Sequence, residues 1–82
     1  MTTRVKSNST DEIFEFEDED LDWEQTGSDP DRQMGPELFY EGTIEFEAKD
    51  GTTVTYTREE SEYPIGSPRE VNDITVEGGI LL

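Results

Sequence analysis

Asp18, Asp20 and Asp22 occupy alternate positions, the 1-3-5 spacing at which a calcium loop presents its first three oxygen ligands. The same loop needs glycine at its sixth position and a bidentate glutamate at its twelfth. Trp23 and Asp29 stand there instead, so the match stops at the third ligand and no metal is expected. Paired carboxylates could also serve glycosidic hydrolysis, one as acid and the other as base or nucleophile. With 22 Asp and Glu among 82 residues, however, pairs of carboxylates arise through abundance alone. Histidine and cysteine are both absent, which removes the usual general base, the thiolate nucleophile and the common transition-metal ligands. The chemistry-bearing residues therefore predict a protein that is not an enzyme and holds no cofactor.

The carboxylates are unevenly distributed. Residues 11–24, DEIFEFEDEDLDWE, hold nine acids and no base, more than half of the net charge of −16. The other five side chains are Ile13, Phe14, Phe16, Leu21 and Trp23. A purely solvating tail has no use for three aromatic rings. Acidic–hydrophobic alternation of this kind marks segments that stay mobile until a partner neutralises them. In an extended arm the block carries one charge per roughly 5 Å, and wound as a helix one per about 2.3 Å. Duplex DNA carries one per about 1.7 Å, so a groove built for phosphates should attract the arm. The expected division of labour is that Glu12, Glu15, Glu17, Asp18, Glu19, Asp20, Asp22 and Glu24 recruit a cationic surface. Phe14, Phe16, Leu21 and Trp23 then anchor in its pockets. Direct nucleic-acid binding is disfavoured, because like charges repel and the six basic residues form no patch.

In size, charge and composition the chain resembles the acidic DNA-mimic inhibitors made by bacteriophages, which occupy the nucleic-acid site of a host or defence protein. The likeness is carried by the short length, the DEIFEFEDEDLDWE block and the pair Glu45 and Glu47, and no family-defining motif accompanies it. It implies an inhibitor that binds a basic nucleic-acid-binding protein in the host cytoplasm.

Two other readings accompany it. Abundant Asp and Glu beside two lysines are also the composition of a small salt-adapted structural or interaction domain. A minor virion or assembly component, with a possible homodimer, would use an exposed edge and an apolar C-terminal stretch. Salt adaptation predicts carboxylates spread evenly along the chain, and residues 11–24 depart from that. No run approaches the roughly 18 apolar residues of a membrane span, and residues 1–10 lack the apolar stretch of a signal peptide, so a cytoplasmic protein is expected. A chain this short supports one small core, and its 29% hydrophobic residues leave that core thin.

The elements expected to position these residues are an acidic arm at 1–24, a Gly/Pro-containing linker at 25–37 and a β unit at 38–82. As a helix the arm would have a capping box at Ser9 and Glu12, but its repeated like charges oppose one. As a strand it has only a weak alternation at Phe14 and Phe16. The β unit is better specified. Residues 42–58 form two alternating runs around Lys49-Asp50-Gly51. A three-residue loop there pairs Phe46 with Val54, Ile44 with Tyr56, Glu47 with Thr53 and Glu45 with Thr55, which separates an apolar from a polar face. A two-residue loop would mix them. Gly51 takes the left-handed position of that loop. Leu38-Phe39-Tyr40 leads into the first strand, 69–76 supplies another, and Ile80-Leu81-Leu82 follows a turn at Glu77-Gly78-Gly79. Residues 63–68 read as a turn-rich crossing. The expected architecture is mainly β: a small antiparallel sheet or partial barrel of three to five strands with an acidic N-terminal arm.

Overall fold

A computed structural model describes residues 2–29, 37–63 and 66–82. Alternating polar and apolar residues give strands with one face to bury, and the described chain is made of seven: β1 (Thr3–Ser7), β2 (Ile13–Phe16), β3 (Asp22–Asp29), β4 (Glu37–Glu47), β5 (Thr53–Glu62), β6 (Glu70–Glu77) and β7 (Gly79–Leu81). A single 3-10 turn, Asp18–Asp20, separates β2 from β3. The strands form two antiparallel sheets, ordered β2-β1-β7 and β3-β4-β5-β6, which do not close into a barrel.

The β4–β5 hairpin organises the larger sheet. Its register pairs Phe46 with Val54, Ile44 with Tyr56, Glu47 with Thr53 and Glu45 with Thr55, the arrangement that separates the faces. The Ala48 amide donates to the Thr52 carbonyl at 2.8 Å and the Gly51 amide to the Ala48 carbonyl at 3.0 Å. Gly51 sits at φ +85°, where a side chain would be strained. β3 lies along β4 and β6 along β5, each with one bulge: between Gln25 and Gly27, and between Glu59 and Glu60.

The chain leaves β6 for the second sheet at Gly78, whose φ of +76° and lack of a side chain let it pass against the Thr53 carbonyl. In the three-stranded sheet β1 is central, with β2 on one side and β7 on the other. Its inward residues meet the apolar face of the hairpin. Val5, Phe16, Leu21, Val54 and Tyr56 are buried, with Phe14, Trp23, Ile44, Phe46 and Val76 packed around them. Phe14 stacks on Phe46 with centroids 4.8 Å apart, and Phe16 tilts against Tyr56 at 4.7 Å. Such ring pairs contribute about 0.5–1.5 kcal/mol each beyond the area they bury.

These contacts correct the expectation of a mobile acidic arm outside the β unit. Residues 13–16 are a strand paired with β1, and Phe16, 3% exposed, lies at the centre of the core. A period of two explains why acids and rings alternate: Phe14 and Phe16 turn inward while Glu15 turns out to meet Arg4 at 2.9 Å. The expected linker is also partly sheet, since β3 runs to Asp29; residues 30–36 lie outside the described residues. Of the crossing at 63–68, Tyr63, Gly66, Ser67 and Pro68 fall between strands, and residues 64 and 65 lie outside the described residues. The mainly β, antiparallel architecture is the one expected, built as two open sheets of three and four strands rather than a single sheet. The additional strands, β1, β2 and β3, all come from residues 1–29.

Candidate interaction face

The larger sheet has two faces of opposite character. On the inner one, beyond the cover of the smaller sheet, polar groups are paired. Arg58 places Nη2 2.9 Å from Oδ1 of Asp18 and Nε 2.9 Å from Oε2 of Glu60. The Nε contact is purely electrostatic, because that N–H finds no hydrogen-bond acceptor. Burial opposes the Arg58 charge, yet the Asp18 hydrogen bond and the nearby carboxylates outweigh it and raise the pKa. Trp23 lies flat over Gly42, where a Cβ would sit 2.9 Å from its ring, and its Nε1 donates to the Asp18 carbonyl at 3.0 Å. The guanidinium carbons of Arg58 and Arg69 are each 5.4 Å from the Trp23 ring centre, and that of Arg69 is 3.8 Å from Tyr40. These are stabilising cation–π distances.

The outer face follows from the strand registers. Glu47 and Thr53 form its first row, and Glu45, Thr55 and Glu77 its second. The third is Asp22, Thr43, Thr57 and Thr75. The fourth, Glu24, Glu41, Glu59 and Asp73, is four carboxylates side by side across all four strands. Neighbouring strands are about 4.8 Å apart and successive rows about 6.8 Å. Over these four rows eight acids share the face with five threonines, a fifth row continues it with Gly27, Phe39, Ser61 and Glu70, and among the described residues no Lys or Arg occupies any of these positions. All eight acids are exposed except Glu41, which is half-buried. Like charges directly opposite one another weaken a sheet, by about 0.2–1 kcal/mol per pair. Three such pairs in the fourth row are a cost that packing does not require.

The structure divides the residues expected to bind a partner. Asp22, Glu24, Glu45 and Glu47 lie together on the outer face. Phe16 and Leu21 are buried, and Phe14 and Trp23 are half-buried against the same core, so the four expected anchors hold the fold instead. Glu12 accepts the Lys49 amide at 2.6 Å, Glu15 pairs with Arg4, and Asp18 pairs with Arg58. Glu17 accepts the Thr2 hydroxyl at 2.6 Å, which holds its pKa below the ordinary glutamate value. Asp20 accepts the Glu17 amide at 2.8 Å, while Glu19 is exposed on the 3-10 turn. Asp18 and Asp20 therefore have different partners, Asp22 lies on the outer face opposite Thr43, and among the described residues no group of three or more acids converges on a metal position. Among those residues no helix is long and apolar enough to cross a membrane.

Two groups escaped the sequence reading. Glu41 opposite Glu59 follows from extending the hairpin register by three further pairs, so that signal was available. Glu24 and Asp73 needed the registers of β3 and β6, and the Arg58 cluster needed the fold. No protein-family model matches the chain, and no curated protein or solved structure is found to match it.

Proposed function

We propose that this chain is a non-enzymatic binding protein whose outer sheet face docks on the basic, nucleic-acid-binding surface of another protein and competes with nucleic acid for it. The observation that carries this reading is the row Glu24, Glu41, Glu59 and Asp73, four adjacent carboxylates with no Lys or Arg among the described residues at their side. The sheet places charges there at a cost to its own stability, and a cationic partner recovers that cost. Scale supports the same reading. The four rows span about 14 by 20 Å on strand and residue spacings. A 20 Å length of duplex carries about 12 phosphates, of which roughly half face a protein docked on one side. Eight carboxylates on such an area offer comparable charge to the same groove.

The threonines supply hydroxyls that donate and accept hydrogen bonds between the acids, without a long side chain to be ordered on binding. Association is then fast and weakened by salt. Since Phe14, Phe16 and Trp23 are internal, shape and hydroxyl contacts slow dissociation, beside the half-buried Phe39 in the row beyond Glu41 and Glu59.

The test is capture of partners from a host lysate on the immobilised chain at low ionic strength, followed by elution with duplex oligonucleotide. The expected result is a basic nucleic-acid-binding protein released by the duplex and by raised salt. A captured protein that holds this chain and an oligonucleotide together would overturn the reading. Absence of any basic protein in the eluate, with a fold that gains stability up to molar salt, would favour salt adaptation instead.

A further inference from the structure

One cavity of this acidic chain is lined without acids. β6 and β7 belong to different sheets and part at Gly78, and beside them opens a groove of about 500 Å³ lined from both sheets. Two of its lining residues are arginines, Arg4 and Arg58, and none is Asp or Glu, in a chain with 22 acids and six basic residues. Ile74 and Leu81 supply apolar walls and are 40% and 45% exposed. Tyr56 and Arg58, two positions apart on β5, share the inner face of the larger sheet. Tyr56 is 1% exposed, yet its hydroxyl has no hydrogen-bond partner among the described residues. Among those residues Arg58 Nε is the one side-chain polar atom both fully enclosed and unpartnered. The Tyr56 hydroxyl is therefore not enclosed, and it opens on the groove that Tyr56 lines. The Arg58 side chain is 9% exposed; its Nη2 and Nε meet Asp18 and Glu60, while Nη1 has no acceptor among the described residues. Unpaired donors at such depth are rare, because burial strips them of water and offers nothing in exchange.

We propose that this groove binds a small aliphatic carboxylate, its head between the Tyr56 hydroxyl and Arg58 Nη1 and its tail along Ile74 and Leu81. The lining selects that chemistry. Both free groups donate hydrogen bonds, and an ionised acceptor makes such bonds roughly twice as strong as a neutral one. Arg4, its side chain 60% exposed, adds a second positive charge to the lining, and no lining carboxylate repels the head. A cationic ligand would meet two guanidinium groups, and a neutral hydrocarbon would leave both donors unpaired. Apolar walls with a few convergent polar groups are the usual make-up of a small-molecule site, and the volume falls within the usual range of about 300–1,000 Å³. It admits one alkyl chain of moderate length rather than a two-chain lipid. The Tyr56 hydroxyl thus serves the ligand, while its ring serves the core.

The inference stands apart from the docking reading, which uses the opposite face of the same sheet, and the two respond differently to salt. Screening relieves the repulsion between an anion and a chain of net charge −16, so uptake of the acid holds or tightens as salt rises, whereas docking on a basic partner loosens. The test titrates the full, isotopically labelled chain with decanoate, kept below its micelle-forming concentration, and follows amide and methyl chemical shifts. Saturable shifts are expected at Tyr56, Arg58, Ile74 and Leu81, with decanol bound at least about tenfold more weakly than decanoate. Tyr56→Phe should weaken decanoate about tenfold while leaving the unfolding midpoint unchanged or higher, since the hydroxyl holds nothing in the fold. Ile74→Glu, which sets a carboxylate beside Arg58 at an exposed position, should abolish saturation. Equal affinity for decanol, binding unchanged by Tyr56→Phe, or shifts that stay linear to the highest decanoate concentration would each overturn the proposal. A lowered unfolding midpoint in Tyr56→Phe would overturn it as well, by showing that the hydroxyl is structural.

Discussion

The two faces of the β3-β4-β5-β6 sheet handle carboxylates in opposite ways. On the inner face, Asp18 and Glu60 each have Arg58 within 2.9 Å, and Arg69 lies 3.9 Å from Glu60. On the outer face, Glu24, Glu41, Glu59 and Asp73 adjoin one another with no cation between them. Where the fold keeps acids near its interior, it supplies the guanidinium that buried charge needs. At the positions of the outer row, no Lys or Arg among the described residues stands beside the acids. The contrast separates charge that the fold uses from charge that it presents.

Substitutions on each face should break or sharpen that contrast. The largest effect belongs to the core beneath the inner face: Phe16→Ala should lower unfolding free energy by about 3–5 kcal/mol in urea titration. Arg58→Ala should cost about 1–3 kcal/mol, because it leaves Glu60 with only the more distant Arg69 while releasing the largely exposed Asp18 to water. The outer face should answer with the opposite sign. Glu41→Gln with Glu59→Gln should stabilise the fold by about 0.2–1 kcal/mol at low salt, a gain that shrinks as salt screens the row. If that pair destabilises instead, the acids of the outer face are structural and the contrast fails.

The smallest effect concerns acid. Asp50 accepts hydrogen bonds from the Thr52 hydroxyl and amide, which hold its pKa below the ordinary 3.8. A carboxylate with a lowered folded pKa stabilises above its unfolded value, and the contribution disappears as pH falls through the folded pKa. Asp50→Asn should therefore lower stability slightly at neutral pH and flatten its fall below about pH 4, as followed by thermal unfolding across that range.

How much of this the sequence revealed depended on how local the signal was. The 42–58 hairpin was legible because two alternating runs meet at a short Asp-Gly loop, and only one register keeps Phe46 and Val54 on the face of Ile44 and Tyr56. Strand 70–77 and the return at Gly78 were legible from the same alternation and turn chemistry. The N-terminal segment was not. β1 and β3 contribute few large apolar residues, chiefly Val5 and Trp23, so nothing in TRVKS or DWEQTGSD marks a buried face. Their partners lie far away in sequence: Val5 meets Leu81, and Trp23 meets Gly42. Nine acids around Phe14 and Phe16 suggested a segment too charged to pack, whereas period-two alternation sends those acids outward and lets the rings in. Of the candidate face, Glu45 and Glu47 were read from the hairpin, while Glu41 and Glu59 were missed although the same register carried further sets them opposite one another. The half contributed by Asp22, Glu24, Asp73 and Glu77 required registers that only the fold provides.

The central claim is that position on the outer face, rather than total negative charge, directs binding. It is tested most directly by two variants that each lose four charges, compared for binding to the captured basic partner. One carries Glu24→Gln, Glu41→Gln, Glu59→Gln and Asp73→Asn; the other carries Asp11→Asn, Glu15→Gln, Glu19→Gln and Asp20→Asn, all exposed positions off that face. The account predicts that the first variant binds at least about tenfold more weakly with a flattened salt dependence, while the second stays close to the unaltered chain. Equal weakening of the two would contradict it.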